Sequence, residues 1–453
     1  MVKESRIQIY PDALDRVPKE QRELVEQQIE VVKLFADLFE LQEQYGFYPE
    51  GLQANDLLAA AKSDPELLSP YKLVRCRRTN FSPFKGVLKS VDYLEEPAYK
   101  GIMLQASDKM EGIIQYARDK GLRQNRLIEA SLTPQIQAMR FGKYEEAIFK
   151  HLNTLYLPRY ELYTGLLDRY LDYLMGIKRS WSALITDRDD LLTAHCNEMV
   201  KAVLKDRNEI NRRRVIVGNA IAGGGLPVRL GGYSGNTFPC EDYLRRDVAS
   251  ESYIWPNVLY QKFERVIKPN LIRHLPELTE IEKWESRARR GATVYLVLHE
   301  GYGHSQVPFD ERTEKYLKED YPTLKEFACD ALTHEATLRL PKRFADTETK
   351  KWALAAWIAW AIPDIEAYLA GMKQGKKPAR ISYGQSGLML SHCYEQEGCI
   401  EVNHDNGNIQ IMDLDKVGGV ATKLVHDLNQ AIVMEKFREG SVKQFIQDNS
   451  PTF

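Results

Sequence analysis

The sequence predicts a mainly α protein with a small β-core, an α+β chain, and three observations predict it. Apolar positions recur at helical spacing over long stretches, as at Leu24, Val25, Ile29, Val32, Leu34, Phe35 and Leu38, with charges between them. Between Val215 and Pro239 that pattern gives way to Val, Ile, Leu and clustered glycine, a composition that opposes helix and suits strands and loops. Near the C-terminus, Cys399-Ile400-Glu401-Val402 and Ile409-Gln410-Ile411-Met412 alternate with period two around Asp405-Asn406-Gly407-Asn408, which is a β-hairpin signal.

Taken in order, Pro18 to Tyr45 reads as an amphipathic core helix. Residues Leu73 to Leu94 carry Thr79, Phe81, Phe84, Val87 and Val91 with Gly and Pro punctuation, and read as short strands. From Lys109 to Leu204 helical patterns run almost without break, including the aromatic-rich run Leu155 to Trp181, whose tyrosines suit core positions with bonded hydroxyls. The glycine segment holds Ala222-Gly223-Gly224-Gly225-Leu226-Pro227 and Gly231-Gly232-Tyr233-Ser234-Gly235-Asn236. Backbone there can approach a ligand closely, and a surface loop accounts for the same composition. Without GxGxxG spacing or a Walker lysine it is a poor phosphate cradle. Pro322 to Leu340 predicts a helix, Trp352 to Pro363 an apolar helix too short to cross a bilayer and therefore buried, and Val420 to Phe437 a last helix.

Chemistry concentrates where the apolar run from Thr293 to Leu298 ends in His299-Glu300-Gly301-Tyr302-Gly303-His304. Neutral imidazoles are the commonest metal ligands, and a glutamate beside one can act as general base. The usual zinc motif spaces its histidines four apart, so that one turn puts both on one face. Here they are five apart, and at roughly 100° per residue the second would point about 140° away from the first. The helix must therefore bulge, and a single π-turn absorbs the extra residue where Gly301 and Gly303 tolerate the distortion. The alternative is a pair of coincidental core histidines. On the next helix Glu326, Asp330 and His334 recur every four residues and share one face. Such a face is either solvated or supplies the carboxylate that completes a two-histidine site.

Lys+Arg 62 against Asp+Glu 64 gives no one-signed field, so neither nucleic acid nor a membrane surface is expected as a partner. The basic runs Arg212-Arg213-Arg214 and Arg287-Ala288-Arg289-Arg290 are short and read as solvated helix faces. Met1 to Arg6 lacks the apolar core of a signal peptide, and six scattered cysteines fit reduced thiols, so a cytoplasmic location is expected. Nothing in the pattern indicates an oligomeric state.

These residues resemble the dipeptidyl peptidase III family of zinc metallopeptidases, marked by a HExxGH helix followed by an ExxxE-type helix. His299 to His304 fits the first signature in full, and Glu326-Phe327-Ala328-Cys329-Asp330 resembles the second with aspartate in place of the last glutamate. Tyr163 to Tyr170 is similar to the family segment that ends in an acidic residue and a catalytic tyrosine, and Ala222 through Asn236 to the strand along which substrate peptides lie. The resemblance implies Zn2+ on His299, His304 and Glu326, Asp330 as a supporting carboxylate, and Glu300 as base. It also implies Tyr170 as an oxyanion donor, Asp168 as partner of a peptide ammonium, and Gly224, Gly225 and Asn236 as substrate contacts. Departures are Leu171 after the tyrosine, Cys240 where a second asparagine is expected, and a shorter chain.

The implied fold has two lobes around a cleft with zinc on the helical lobe. Residues 1–187 form a mixed lobe with helices and part of the β-core, 188–213 a helical segment entering the zinc lobe, and 214–262 the glycine-rich strand segment returning to the substrate lobe. Residues 263–437 form the helical zinc-binding lobe and 438–453 a C-terminal tail. The implied activity is hydrolysis of short peptides near a free N-terminus. The alternatives are a zinc enzyme acting on a small non-peptide molecule, or a non-catalytic zinc-binding scaffold.

Overall fold

The computed structural model describes residues 7–44, 97–141, 157–168, 180–204, 213–225, 234–238, 250–275, 281–307, 320–373, 381–403, 407–435 and 440–451, with 150, 228, 309, 313 and 317. The described chain is mainly helical with a small mixed sheet. It divides into two compact units, one of Met1–Asp190, Gly218–Tyr233 and Phe238–Cys240, the other of Leu191–Val217, Ser234–Thr237 and Glu241–Phe453.

The first unit opens with strand β1 (Ile7–Ile9), α1 (Pro11–Asp15) and the long α2 (Lys19–Gln44), followed by α3 (Pro97–Asp119) and α4 (Asn125–Phe141). Helix α2 is the one expected from the apolar spacing, and its face Leu24, Val25, Ile29, Val32, Phe35, Phe39 is buried. The strands expected at Leu73 to Leu94 lie outside the described residues. The aromatic-rich run is corrected: Tyr160–Asp168 and Ser180–Arg188 are the antiparallel strands β2 and β3, not helix. Tyr160 to Thr164 and Trp181 to Thr186 are buried at every position. A strand covered on both faces loses its period-two signature and cannot be told from a buried helix by apolar pattern alone.

Helix α2 covers these strands, with Phe35 edge-on to Trp181 at 5.7 Å between ring centroids. The edge strand β2 is protected from outside by side-chain amides. Gln28 donates to the Tyr160 carbonyl at 3.0 Å and Gln135 to the Leu162 carbonyl at 3.1 Å, and the Thr164 N–H donates to Gln135 Oε1 at 2.7 Å.

After α5 (Asp190–Val203), strand β4 (Arg213–Gly225) occupies the glycine segment as a strand, as its composition predicts. Its far end lies between β1 and β3, with Ile7 and Ala183 both in register with Gly224. Its near end pairs in parallel with β6 (Ser250–Ile254), which follows β5 (Gly235–Phe238). In the strand order β5 is terminal beside β6.

In the second unit, α6 (Pro256–Lys262), a π-turn at Phe263–Ile267 and α7 (Lys268–His274) lead to α8 (Ile281–Leu298). A second π-turn, His299–Gly303, and the short α9 (His304–Gln306) continue it. Then come α10 (Tyr321–Arg339), α11 (Thr347–Lys373), α12 (Ile381–Gln396), the hairpin β7 (Ile400–Asn403) and β8 (Asn408–Ile411), α13 (Leu414–Glu435) and α14 (Ser441–Asp448). The hairpin has the expected register, Ile400 opposite Ile411. Helix α11 is long and apolar enough to cross a membrane by length and composition, and half of its apolar window is buried. Within it Trp352 to Ala359 are all buried, and Trp352 stacks on Trp284 of α8 at 4.9 Å. Gly291 permits that crossing, since a Cβ there would stand 2.6 Å from the Trp352 backbone. The expected tail holds α14, whose Val442 and Phe445 are buried, with Phe445 edge-on to Phe327 at 5.8 Å. The four described cysteines, Cys196, Cys329, Cys393 and Cys399, are buried and form no disulfide among the described residues.

Candidate metal centre

Helix α8 is regular up to Leu298 and then widens into the π-turn His299–Gly303 that the five-residue histidine spacing demands. The His304 N–H reaches the His299 carbonyl five residues back. The turn brings the two imidazoles together edge to face, with centroids 4.6 Å apart. Widening a helix releases carbonyls from their ordinary partners, and these are recaptured by hydroxyls. Ser252 Oγ donates to the Glu300 carbonyl at 2.8 Å, and Ser305 Oγ to the Tyr302 carbonyl at 2.6 Å. Gly303 is required where α10 crosses the turn, because a Cβ would meet Cys329 Sγ and Thr333 Oγ1 at 2.6 Å and the Cys329 carbonyl at 2.8 Å.

Helix α10 presents Glu326 and Asp330 to this turn, both buried rather than solvated. Glu326 Oε2 lies 3.8 Å from His299 Nε2 and 4.0 Å from His304 Nε2. Two donors each about 2.1 Å from a zinc ion at the tetrahedral angle stand about 3.4 Å apart, so closure by about half an ångström would complete a three-donor set. The same Oε2 is buried and has no hydrogen-bond partner among the described residues. Burial pushes the Glu326 carboxyl up to about 7, against the opposing pull of His299. A divalent cation offsets that burial, so the donors fit a metal.

Cys329 offers a rival third donor. Ligand atoms of His299, His304 and Cys329 all lie within 4.8 Å of one another, and this buried group could hold a metal. The sulfur, however, sits 3.5 Å from His299 Nδ1 and 3.8 Å from Nε2, across the ring. A sulfur sharing an ion with Nε2 would lie about 5 Å from Nδ1 on the far side of the imidazole. Glu326 is therefore the better-placed third donor.

Asp330 supports His299. Its Oδ1 accepts from His299 Nδ1 at 2.9 Å and from the Tyr295 hydroxyl at 2.6 Å, and its Oδ2 accepts from Trp357 Nε1 at 3.0 Å. Burial alone would raise the Asp330 carboxyl, but the His299 hydrogen bond and its neighbours hold it below the ordinary carboxylate range. An ionised Asp330 fixes the proton on Nδ1 and leaves the Nε2 lone pair for a metal. Glu300, next to His299, is gripped by strand β5. Thr237 Oγ1 lies 2.8 Å from Glu300 Oε2, and a Cβ on Gly235 would stand 2.8 Å from Glu300 Cγ.

The structure thus assembles His299, His304, Glu300, Glu326 and Asp330, with Asn236 in β5 beside Thr237. Gly224 and Gly225 have a different use from the one expected. Both edges of β4 at Gly224 are already paired, so the backbone there is closed to an added strand. Side chains are excluded instead by packing: a Cβ on Gly224 would stand 2.6 Å from the Val32 carbonyl, and one on Gly225 (φ +77°) would overlap the Trp181 carbonyl. Asp168 ends β2 opposite Ser180, while its side chain and all of Tyr170 lie outside the described residues. Thr237, Ser252, Tyr295, Trp357 and Cys329 went unread in the sequence. Only Tyr295 carries a local signal, four residues before His299 on the same helical face.

No protein-family model and no curated protein matches the chain. Among solved structures, DPP III from Caldithrix abyssi matches with a TM-score of 0.66 at 16% identity, over 97% of this chain and 91% of that one. Dipeptidyl-peptidase III from Corallococcus sp. strain EGB matches with a TM-score of 0.66 at 16% identity, over 96% and 89%. Likeness at that identity speaks for the backbone and not for the chemistry, and the chain accordingly has a dipeptidyl peptidase III-like fold.

Proposed function

We propose that this protein is a zinc-dependent hydrolase that cleaves short peptides near a free N-terminus, as a dipeptidyl peptidase does. The observation that carries the reading is the approach of Glu326 Oε2 to within 4.0 Å of the Nε2 atoms of both His299 and His304, beside a buried, oriented Glu300. His299, His304 and Glu326 would hold the metal. When bound, zinc supplies Lewis-acid polarisation of a carbonyl and acidifies a water. Glu300 takes the proton of the attacking water on its carboxylate, which Thr237 orients, and delivers it to the leaving amine. Asp330 keeps His299 in the ligating tautomer throughout.

A peptide backbone fits best along β5, which ends the strand order beside Glu300 and carries Asn236. Asp168 would then pair with the substrate ammonium and Tyr170 donate to the developing oxyanion, as the resemblance implies. The near balance of charge supports a short peptide rather than nucleic acid or membrane as partner, and buried cysteines without a disulfide among the described residues support a cytoplasmic setting. A small non-peptide substrate is the second reading, favoured by the closed edges of β4 at Gly224. Competition between one peptide and its N-acetylated form decides between them. A carboxylate left without its ammonium loses a charge-assisted bond, so the acetylated form should have a kcat/KM at least about tenfold lower. Equal kcat/KM values would remove Asp168 from the site, and no cleavage of either would favour the non-peptide reading.

A further inference from the structure

We infer that Tyr295 and Trp357 are positioning residues for the metal centre, acting through Asp330; this rests on the metal reading above. An aspartate reaches less far than a glutamate, and a short carboxylate on α10 needs outside help to stay aimed at α8. Here that help is complete. The Tyr295 hydroxyl donates to Oδ1 at 2.6 Å, and the Trp357 indole donates to Oδ2 at 3.0 Å. The remaining acceptance at Oδ1 goes to His299 Nδ1 at 2.9 Å. Tyr295 also lies 3.2 Å from Nδ1, beside the Asp330 carboxylate oxygen that accepts the Nδ1 proton. Three helices therefore converge on one carboxylate: α8 through Tyr295, α11 through Trp357 and α10 through Asp330 itself.

The sites are buried. Tyr295 is 6% exposed and Trp357 2% exposed, and the rings of His334 and Trp357 meet edge to face at 4.5 Å behind the carboxylate. Charge-assisted hydrogen bonds are strongest where water cannot compete. Removing either donor leaves the carboxylate free to rotate and His299 free to turn, and outer-shell changes of this kind typically weaken metal binding by about 10–100-fold.

The test measures zinc affinity by competition with a chromogenic chelator for wild type, Tyr295→Phe, Trp357→Phe, Asp330→Asn and the Tyr295→Phe/Asp330→Asn double variant. Tyr295→Phe should weaken zinc by about tenfold or more in the wild-type background. In the Asp330→Asn background the same change should cost no more than about a twofold factor, because its target is already gone. A general loss of packing would instead cost the same in both backgrounds. Cobalt(II) in the site adds a spectroscopic readout, with ligand-field bands that shift in Tyr295→Phe and Asp330→Asn alike. Equal zinc affinity in Tyr295→Phe and wild type, or equal effects in the two backgrounds, would overturn the inference. Should Tyr295→Phe fail to fold, Trp357→Phe takes its place in the same cycle with the same expected coupling. A wild-type chain that binds no zinc would overturn the metal reading itself, and this inference with it.

Discussion

At the scale of single residues, Glu300 has two bonded groups with different meanings. Its carbonyl accepts from Ser252 at 2.8 Å and is also reached by Thr237 Oγ1 at 2.9 Å, and its carboxylate is held by the same Thr237 hydroxyl at 2.8 Å. Ser252 still holds the carbonyl when the Thr237 hydroxyl is removed, so the carboxylate contact can be tested separately. Glu300→Gln should retain zinc and lose about 10²–10⁴-fold in turnover, the usual contribution of a general base. Thr237→Val keeps the shape of the side chain and removes the hydroxyl, so kcat should fall while zinc affinity stays as in wild type. Thr237→Ser should restore most of the loss. Kinetics and zinc titration on the three variants check this, and a Thr237→Val enzyme with wild-type kcat would dissociate Thr237 from the base. Of these placements only that of Glu300 is legible in the sequence, because it is adjacent to His299, a candidate ligand. Thr237 is 63 residues away in the chain, and nothing local in Gly235-Asn236-Thr237-Phe238 reports its partner.

At the scale of elements, the π-turn was legible because helical geometry allows no other way to unite histidines five apart. The strands β2 and β3 were not, because burial of both faces erased the alternation that marks a strand. The same turn explains a glycine. Gly303 faces Cys329 and Thr333 on α10 with no room for a methyl group, and two of those contacts would be to a buried side chain and a helix backbone that cannot retreat. Gly303→Ala should therefore destabilise the protein by about 1–3 kcal/mol, the usual range for overpacking, and push α10 away from the histidines. Denaturant unfolding combined with zinc titration reads both effects. An unchanged midpoint would show that α10 can yield at this crossing.

At the scale of the whole molecule, the sequence carried the class of fold, the helical character of the unit that holds His299, His304 and Glu326, and the C-terminal hairpin. It did not carry α14, whose eight residues are too few for a clear periodic signal. Yet α14 packs on the helix that carries Glu326, with Phe445 against Phe327, the next residue in the chain. Phe445→Ala should cost about 3–5 kcal/mol as a buried aromatic lost from a packed core, measured as a shift in denaturation midpoint.

The claim on which the rest depends is the identity of the third donor. Metal content of purified wild type, Glu326→Ala and Cys329→Ser, measured by elemental analysis after dialysis, tests it most directly. The geometry predicts about one zinc per chain in wild type and in Cys329→Ser, and none in Glu326→Ala, as expected for a three-donor site that has lost one ligand. Zinc retained in Glu326→Ala and lost in Cys329→Ser would contradict it, and would make this a histidine and thiolate site instead.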